Sequence, residues 1–302
     1  MRPLGFHLRH VAFLLLLVAN VGAAQEGASL LWEARAGGKT VFLYGTIHVG
    51  KAEMYPLPKY VETAFLASKA LALKADVTDT QAVQASMHIG MQPSGRTLEG
   101  ELPSELTQQL NRTVAGSGIP VEALRPMKPF MAMLVLVAME YGKQGYVPQY
   151  GLDHHFAQRA KSAAMPIIAL ASMEGQLRMM DGLSKSLQQA MLKITLDDIA
   201  SGKVAPMAAS LVAAWRRGDA KALHELLLSE SKRLPASFAG EFNQKFLVGR
   251  NRDMLAGVEK ALARTDTLFV AVGALHLIGP GSLNDLMEKA GYSIKRVAGP
   301  TQ

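Results

Sequence analysis

Two segments, one near each end of the chain, share a pattern that strongly constrains the fold. Thr40–Gly50 reads TVFLYGTIHVG and Thr267–Gly279 reads TLFVAVGALHLIG. Each begins with a run rich in β-branched and aromatic residues, which predicts a β-strand, and continues into Gly-x-x-His. A glycine at a strand end permits a tight turn or a close backbone approach, and the histidine then stands at the rim of the sheet, where α/β proteins bind ligands. We therefore predict that His48 and His276 share one composite site, with two hydrogen-bonded capping residues as the alternative.

The first 24 residues have the pattern of a secretory signal peptide. A basic start precedes the apolar core Val11–Ala19, and small residues follow at Val21–Ala24. The apolar core is short for a membrane span, which takes about 20 residues, so we predict cleavage after Ala23 or Ala24. The sequence thus predicts an exported protein, periplasmic or secreted, with no stable transmembrane anchor after cleavage. Its mature part is predicted to be a single domain over residues 25–302.

Composition excludes several classes of chemistry. The chain contains no cysteine, which rules out disulfides, thiol nucleophiles, Cys-ligated metals and lipid attachment to a cysteine. The formal net charge is +7, but the basic residues are scattered and do not alternate with aromatics, so nucleic-acid binding is not expected. The Gly-x-Ser-x-Gly pattern of serine hydrolases is missing, and the pair His224-Glu225 lacks the second histidine of a zinc-protease helix.

The order of the predicted elements indicates the fold class. The N-terminal predictions are strands at Leu30–Arg35 and Thr40–Gly45 around a Gly37-Gly38 turn, a helix at Lys59–Ser68 and a strand at Ala70–Val77. The later predictions are helices over 80–150, a helix at Asp153–Ala164, a short buried strand at Pro166–Leu170, helices over 184–263, a strand at Thr267–Gly273, a helix at Ser282–Ala290 and a strand at Tyr292–Val297. We predict an α/β fold with α+β character. One mixed central sheet carries a large helical insert and is closed by the C-terminal strand-helix-strand.

The segments around the two histidines resemble the TraB/GumN family. The resemblance rests on LWEARAGGKTVFLYGTIHVG, Tyr55-Pro-Leu-Pro58, Leu152-Asp153, Trp215–Asp219, Arg250-Asn251 and VAVGALHLIGPGSL. That family includes the TIKI-type metalloproteases, which act on Wnt ligands, and it is distantly related to erythromycin esterases. The resemblance implies a metal-dependent hydrolase, peptidase- or esterase-like, whose substrate is a peptide or a small molecule.

The resemblance also implies how the site is built. His48 and His276 would hold or flank a divalent metal ion, and acids from the central strands would complete the site, since neutral imidazole is a common metal ligand and a good general base. This chain departs from the family pattern at both acids, where Lys74 and Ala171 stand in place of the usual glutamates. A divalent ion takes about three or four protein ligands, and an ammonium about 4 Å away would repel each unit of its charge by roughly 4 kcal/mol at an effective dielectric near 20.

Two aspartates are candidate substitutes for the missing acids. Asp76 has the same parity as Lys74 on the predicted strand, and we predict it as a catalytic acid, with a strand-end turn residue as the alternative. Asp153 is the predicted third metal ligand, with a helix N-cap as the alternative. Arg250 is the candidate for stabilising an anion, with an exposed arginine as the alternative. Lys74 and Asn251 are the candidates for binding substrate.

Two functions of different class follow from the sequence. The first is an exported metal-dependent hydrolase, which the family resemblance favours. The second is a catalytically silent family member that binds a peptide, a metal or another ligand, and Lys74 and Ala171 favour it.

Overall fold

The computed structural model describes residues 29–115 and 120–298, so the predicted signal peptide lies outside the described residues. Within this part of the chain the strands are β1 (Leu31–Ala36), β2 (Lys39–Thr46), β3 (Ala70–Leu73), β4 (Ile167–Ala169), β5 (Thr267–Gly273) and β6 (Ser293–Arg296). They form one sheet in the order β4-β3-β5-β2-β1-β6. The mixed central sheet and the α/β class are therefore confirmed. The predicted extent of the domain, residues 25–302, stays a prediction.

The helices of the described residues occupy the connections between the strands. They are α1 (Lys59–Leu66), α2 (Thr80–Ser86), α3 (Ser104–Ala115), α4 (Val121–Leu124), α5 (Pro129–Lys143), α6 (Leu152–Ser162), α7 (Met173–Asp181), α8 (Lys185–Ala200), α9 (Val204–Arg216), α10 (Ala220–Ser231), α11 (Ala236–Asn243), α12 (Gly249–Leu262) and α13 (Leu283–Lys289). A π-helical turn, Gln244–Val248, joins α11 to α12. Across the described ranges, no helix has the length and apolar character that a membrane crossing requires.

The direction of the strands decides where a site can form. Strands β4, β3, β5 and β2 are all parallel, and β1 is antiparallel to both of its neighbours. The β1–β2 hairpin turns through Gly37 and Gly38, both at positive φ, which glycine adopts at no steric cost. Because four strands run the same way, the loops that follow β2, β3, β4 and β5 leave the sheet at one edge.

Alternating side chains bury both faces of the sheet. On β5, Phe269 and Ala271 lie in one core with α1, α6 and α9, whereas Leu268 and Val270 lie in a second core with α12 and α13. Fully burying one such large side chain stabilises the fold by about 1.5–3 kcal/mol. An unbroken apolar run such as LFVAV is therefore typical of a central strand with helices packed on both faces of the sheet.

The predicted helical insert is also confirmed. Helices α3, α5, α7 and α8 surround a further core that includes Leu110, Phe130 and Leu192. The predicted short strand at 166–170 is an edge strand whose isoleucines, Ile167 and Ile168, are only half-buried. Its prediction as a buried strand is therefore wrong, because none of the described strands pairs with its outer side.

Candidate active site at the ends of the parallel strands

The parallel strands deliver both histidines to one edge of the sheet. His48 follows β2 by two residues, and His276 ends a 3₁₀ turn, Ala274–His276, directly after β5. The two strands are neighbours and pair in parallel as far as Thr46 and Gly273. A β-carbon added to Gly273 would lie 3.5 Å from Nε2 of His48 and 3.7 Å from Cδ2 of His276. Both rings therefore border the same small space beyond the end of β5.

His48 is oriented by a buried carboxylate of α6. Its Nδ1–H donates to Oδ2 of Asp153 at 2.7 Å, and the hydroxyl of Thr46 donates to Oδ1 at 2.9 Å. Burial alone would raise the pKa of Asp153, but the His48 imidazole, the two hydrogen bonds and the charge of Lys74 outweigh burial and lower that pKa. In the neutral form of the ring, this hydrogen bond keeps the proton on Nδ1 and leaves a lone pair on Nε2. Its side chain is 57% exposed, so this lone pair can meet a substrate or water.

His276 is oriented from the opposite helical layer. The amide nitrogen of Asn251 on α12 donates to the carbonyl of Gly281 at 2.7 Å, so its amide oxygen accepts from Nδ1–H of His276 at 2.8 Å. Burial, and next the charges of Lys74 and Arg250, lowers the pKa of His276 to about 3. The ring is therefore neutral at neutral pH, with its lone pair on Nε2. Asn251, predicted to bind substrate, is buried, and its side-chain amide binds the His276 ring and the carbonyl of Gly281 instead.

We expect His276 to make the folded protein acid-sensitive. Above about pH 6.5 the imidazole of His276 is neutral in both the folded and the unfolded chain. Below about pH 6.5 the unfolded chain binds a proton there, whereas the folded chain binds it only near pH 3. The free energy of unfolding therefore decreases as the pH is lowered, by up to about 1.4 kcal/mol per pH unit. Urea unfolding with EDTA present should show that His276→Gln loses about 2 kcal/mol less than wild type between about pH 7 and pH 5. His88→Gln, at an exposed histidine, should lose as much as wild type, and equal losses in all three proteins would contradict a buried neutral His276.

Two cationic side chains lie close to the imidazoles. Burial, and next the charge of Arg250, lowers the pKa of Lys74 to about 8, against the opposing charge of Asp153. Burial also lowers the pKa of Arg250, against the charge of Asp253, and its Nε–H is enclosed without an acceptor. Neither cation forms an ion pair with any residue that the structure describes. Arg250 is half-buried, which disfavours the alternative of a solvent-exposed arginine.

Asp76 does not join this cluster. Strand β3 ends at Leu73, so the predicted strand over 70–77, and with it the shared parity of Asp76 and Lys74, is wrong. The Asp76 carboxylate accepts hydrogen bonds from the backbone N–H and the hydroxyl of Thr78 at 2.9 and 2.5 Å and lies 3.5 Å from Nζ of Lys161. These contacts are those of the turn residue that was the alternative.

The donor set does not fit a divalent ion held by this chain alone. The two imidazoles suit a metal, because each has Nε2 free and its Nδ1–H bound by a polar group, as metal-bound histidines require. Among the described residues, however, no three His, Asp or Glu side chains are grouped so that they could hold a metal ion. The Asp153 carboxylate binds Nδ1–H of His48. The residue that follows β3 is Lys74, a cation, where the resemblance implies an acid. The predicted metal role of Asp153 is therefore not supported, and neither is its N-cap alternative, because Gly151 is the N-cap of α6.

The second glycine of each motif is required for a different reason. A β-carbon on Gly50 would lie 2.2 Å from the carbonyl oxygen of Tyr150, a distance that no real contact allows. Gly279 has φ +82°, and a β-carbon there would lie 2.7 Å from Cε1 of His224 on α10. The His48 loop is thus held by a close backbone contact, and the His276 loop by a side chain of α10.

Sequence reasoning missed two residues that act on Asp153, the partner of His48. Thr46 is 1% exposed and binds Asp153; a polar residue just before the histidine in Gly-Thr-Ile-His was the available signal. Tyr55 donates its hydroxyl to the carbonyl of Tyr150 at 2.9 Å. Burial, and next the charge of Asp153, raises the pKa of Tyr55 to about 12, so it is a neutral phenol at the edge of the site. Only its place in the Tyr-Pro-Leu-Pro segment pointed to it.

Comparison with known proteins confirms the resemblance found in the sequence. The uncharacterized protein YbaP of Escherichia coli strain K12 is 28% identical over 280 residues, which cover 91% of this chain and 99% of that protein. Metalloprotease TIKI1 is 24% identical over 313 residues in Xenopus tropicalis and 22% over 314 in Homo sapiens, and this chain spans 61% of the length of each. The aligned part covers 88% of this chain in both cases. No solved structure matches significantly. The sequence profile of the TraB/PrgY/gumN family matches residues 30–296, so the chain belongs to that family.

Proposed function

We propose that this chain is a hydrolase of ester or amide bonds in which His48 is the general base. The observation that carries the proposal is the solvent-accessible His48, whose Nδ1–H is bound by the buried carboxylate of Asp153. A carboxylate in this position fixes the tautomer and stabilises the imidazolium that forms when the ring takes up a proton. General bases of this kind accelerate reactions by about 10²- to 10⁴-fold.

The proposed reaction uses groups of this chain only. Nε2 of His48 removes a proton from a water molecule while the water oxygen adds to the acyl carbon, and the carbonyl electron pair moves onto oxygen. Lys74 stabilises this oxyanion, because it extends β3 next to β5, where Leu73 pairs with Ala271 close to Gly273. The intermediate collapses, the bond to the leaving group breaks, and the leaving group takes the proton back from Nε2.

His276 has a separate part in the proposed reaction. Its Nε2 carries a lone pair and accepts a hydrogen bond from the attacking water or from an N–H or O–H group of the substrate. Asn251 acts through His276 as a positioning residue, since it fixes the ring by Nδ1. A wrong tautomer of His276 would present a donor where the proposal needs an acceptor.

The family relationship supports the reaction class. The TIKI1 relatives bear the name metalloprotease, and proteases and esterases share attack on an acyl carbon. We extend this to a peptide or small-molecule substrate and to export directed by residues 1–24. A divalent ion would need a ligand that the described residues do not supply, so no step is assigned to one.

A second candidate function is binding without turnover. The observation that favours it is the pair Lys74 and Ala171 beside each other at the ends of β3 and β4, where the backbone N–H of Ala171 donates to the carbonyl of Lys74 at 2.8 Å. A protein of this kind would keep the crevice and the oriented rings and lose the acids that its family resemblance implies.

Hydrolysis of p-nitrophenyl acetate by the purified protein tests the proposal. After EDTA treatment, wild type should release p-nitrophenol at least about 10²-fold faster than His48→Ala. His154→Ala, at the residue after Asp153, is the matched control and should act like wild type. Equal rates in wild type and His48→Ala would overturn the proposal and leave binding as the function. Activity that appears only when a divalent metal is added back would overturn the metal-free reaction.

A further inference from the structure

We infer that this site takes substrates that carry a carboxylate or a phosphate a few bonds from the bond that is cleaved, and that the Arg250 guanidinium binds this oxyanion. The position of the oxyanion relative to the cleaved bond rests on the proposed hydrolase function. The binding of the oxyanion itself does not require turnover, so the two can fail separately.

Lys74 and Arg250 are cations that lack an ion-pair partner among the described residues. Both oppose the protonation of His276 through their charges, after burial, so both lie near that ring. Asp153 acts on Lys74 through its charge but is bound to Thr46 and His48. Neither cation therefore has a carboxylate in contact, and a substrate anion would supply one.

Arg250 also has hydrogen-bonding capacity that no described residue uses. Its Nε–H is enclosed and has no acceptor, and its terminal Nη groups form no ion pair among the described residues. Asp253, one turn further along α12, acts on Arg250 through its charge but without a hydrogen bond. An enclosed donor without an acceptor is costly. An anion that drew the guanidinium towards the histidines would give these donors acceptors in the paired geometry that carboxylates and phosphates prefer.

Arg250 belongs to the helical layer that holds His276. It lies on α12, whose Asn251 binds the His276 ring, and its charge acts on His276, so the oxyanion would lie towards His276. His48 follows β2, the neighbour of β5, and is held by Asp153 of α6, which packs on the other face of the sheet. A substrate that reaches from His48 towards Arg250 would carry its oxyanion a few bonds from the acyl carbon, as a short acyl chain with a terminal carboxylate does.

Thermal unfolding with added anions tests the binding. Glutarate and inorganic phosphate, compared with chloride at equal ionic strength, should raise the Tm of wild type, and the larger shift identifies the carboxylate or the phosphate as the preferred group. Arg250→Met should lose the shift, and Arg250→Lys, which keeps the charge but not the fork, should retain only part of it. Arg252→Met, at an exposed arginine of the same helix, should behave as wild type. An equal shift in wild type and Arg250→Met would overturn the inference.

Kinetics separate this inference from the proposed function. Mono-p-nitrophenyl glutarate and p-nitrophenyl pentanoate have acyl chains of equal length and differ in the carboxylate. After subtraction of spontaneous hydrolysis, the glutarate ester should have a KM lower by about tenfold or more, and Arg250→Lys should remove most of this difference. Turnover of both esters with equal KM would contradict the anion site but not the proposed hydrolase function. No turnover, together with a Tm shift that depends on Arg250, would contradict the hydrolase function but not the anion site.

Discussion

Asp153→Asn is expected to lower the hydrolysis of p-nitrophenyl acetate by about 10²- to 10⁴-fold. The substitution keeps the shape of the side chain, but the amide NH₂ group would face either Nδ1 of His48 or the hydroxyl of Thr46, both of which donate to the carboxylate now. Facing His48, it would move the ring proton to Nε2 and remove the lone pair that acts as base. The imidazolium formed in the reaction would also lose its counter-charge.

Asp76→Asn is the matched control for that variant. It removes the same charge from the other predicted acid, whose carboxylate binds Thr78 and Lys161, and it should change kcat by less than about twofold. Circular dichroism and the Tm of both variants would establish that they are folded. Similar kcat losses in the two variants would contradict the assignment of the base pair, whereas an unchanged Asp153→Asn enzyme would remove Asp153 from the mechanism.

Gly50→Ala is expected to destabilise the fold by about 3 kcal/mol or more. The new methyl group would lie 2.2 Å from the carbonyl oxygen and 2.9 Å from the carbonyl carbon of Tyr150, which are backbone atoms that no rotamer change can move. Relief would require separating the chain at Gly50 from Val147, with loss of their two backbone hydrogen bonds at 2.9 and 3.0 Å. The Tyr55 hydroxyl would lose its acceptor in the same movement.

Gly142→Ala provides the comparison for this stability prediction. Gly142 lies in α5, has no atom within 4 Å of an added β-carbon, and is not among the glycines at positive φ. Alanine is favoured over glycine in a helix by about 1 kcal/mol, so Gly142→Ala should be neutral or stabilising. Urea unfolding of both variants measures the difference. A Gly50→Ala protein as stable as wild type would show that the His48 loop does not rest on the Tyr150 backbone.

The local pattern of the sequence was sufficient to locate the strands that carry the histidines. The predicted bounds of β5 match the structure, and those of β2 differ from it by one residue at each end, because β-branched and aromatic runs depend on neighbours in the chain. The same locality explains the failure after Leu73. The apolar–polar alternation of ALALKADV continues past Leu73, although the backbone leaves the sheet there. The sequence therefore does not show that Asp76 forms a turn with Thr78.

The partners of the histidines could not be predicted in this way. Asp153 follows His48 by 105 residues, and Asn251 precedes His276 by 25. Each partner comes from a different helical layer, and which helix covers which face is decided by the packing of the whole sheet. Asp153 was therefore assigned as a metal ligand in place of the missing acids, and Asn251 as a substrate contact from the Arg250-Asn251 pair of the family resemblance.

The sequence by itself determined the two Gly-x-x-His strand ends, the α/β class and the replacement of two expected acids by Lys74 and Ala171. The tertiary structure decided that β5 lies between β2 and β3, which brings both rings to Gly273 and sets a cation beside them. The physical reason is that strand formation follows from local periodicity and burial, whereas strand order, ring orientation and the charge balance of a crevice depend on contacts between residues far apart in the chain.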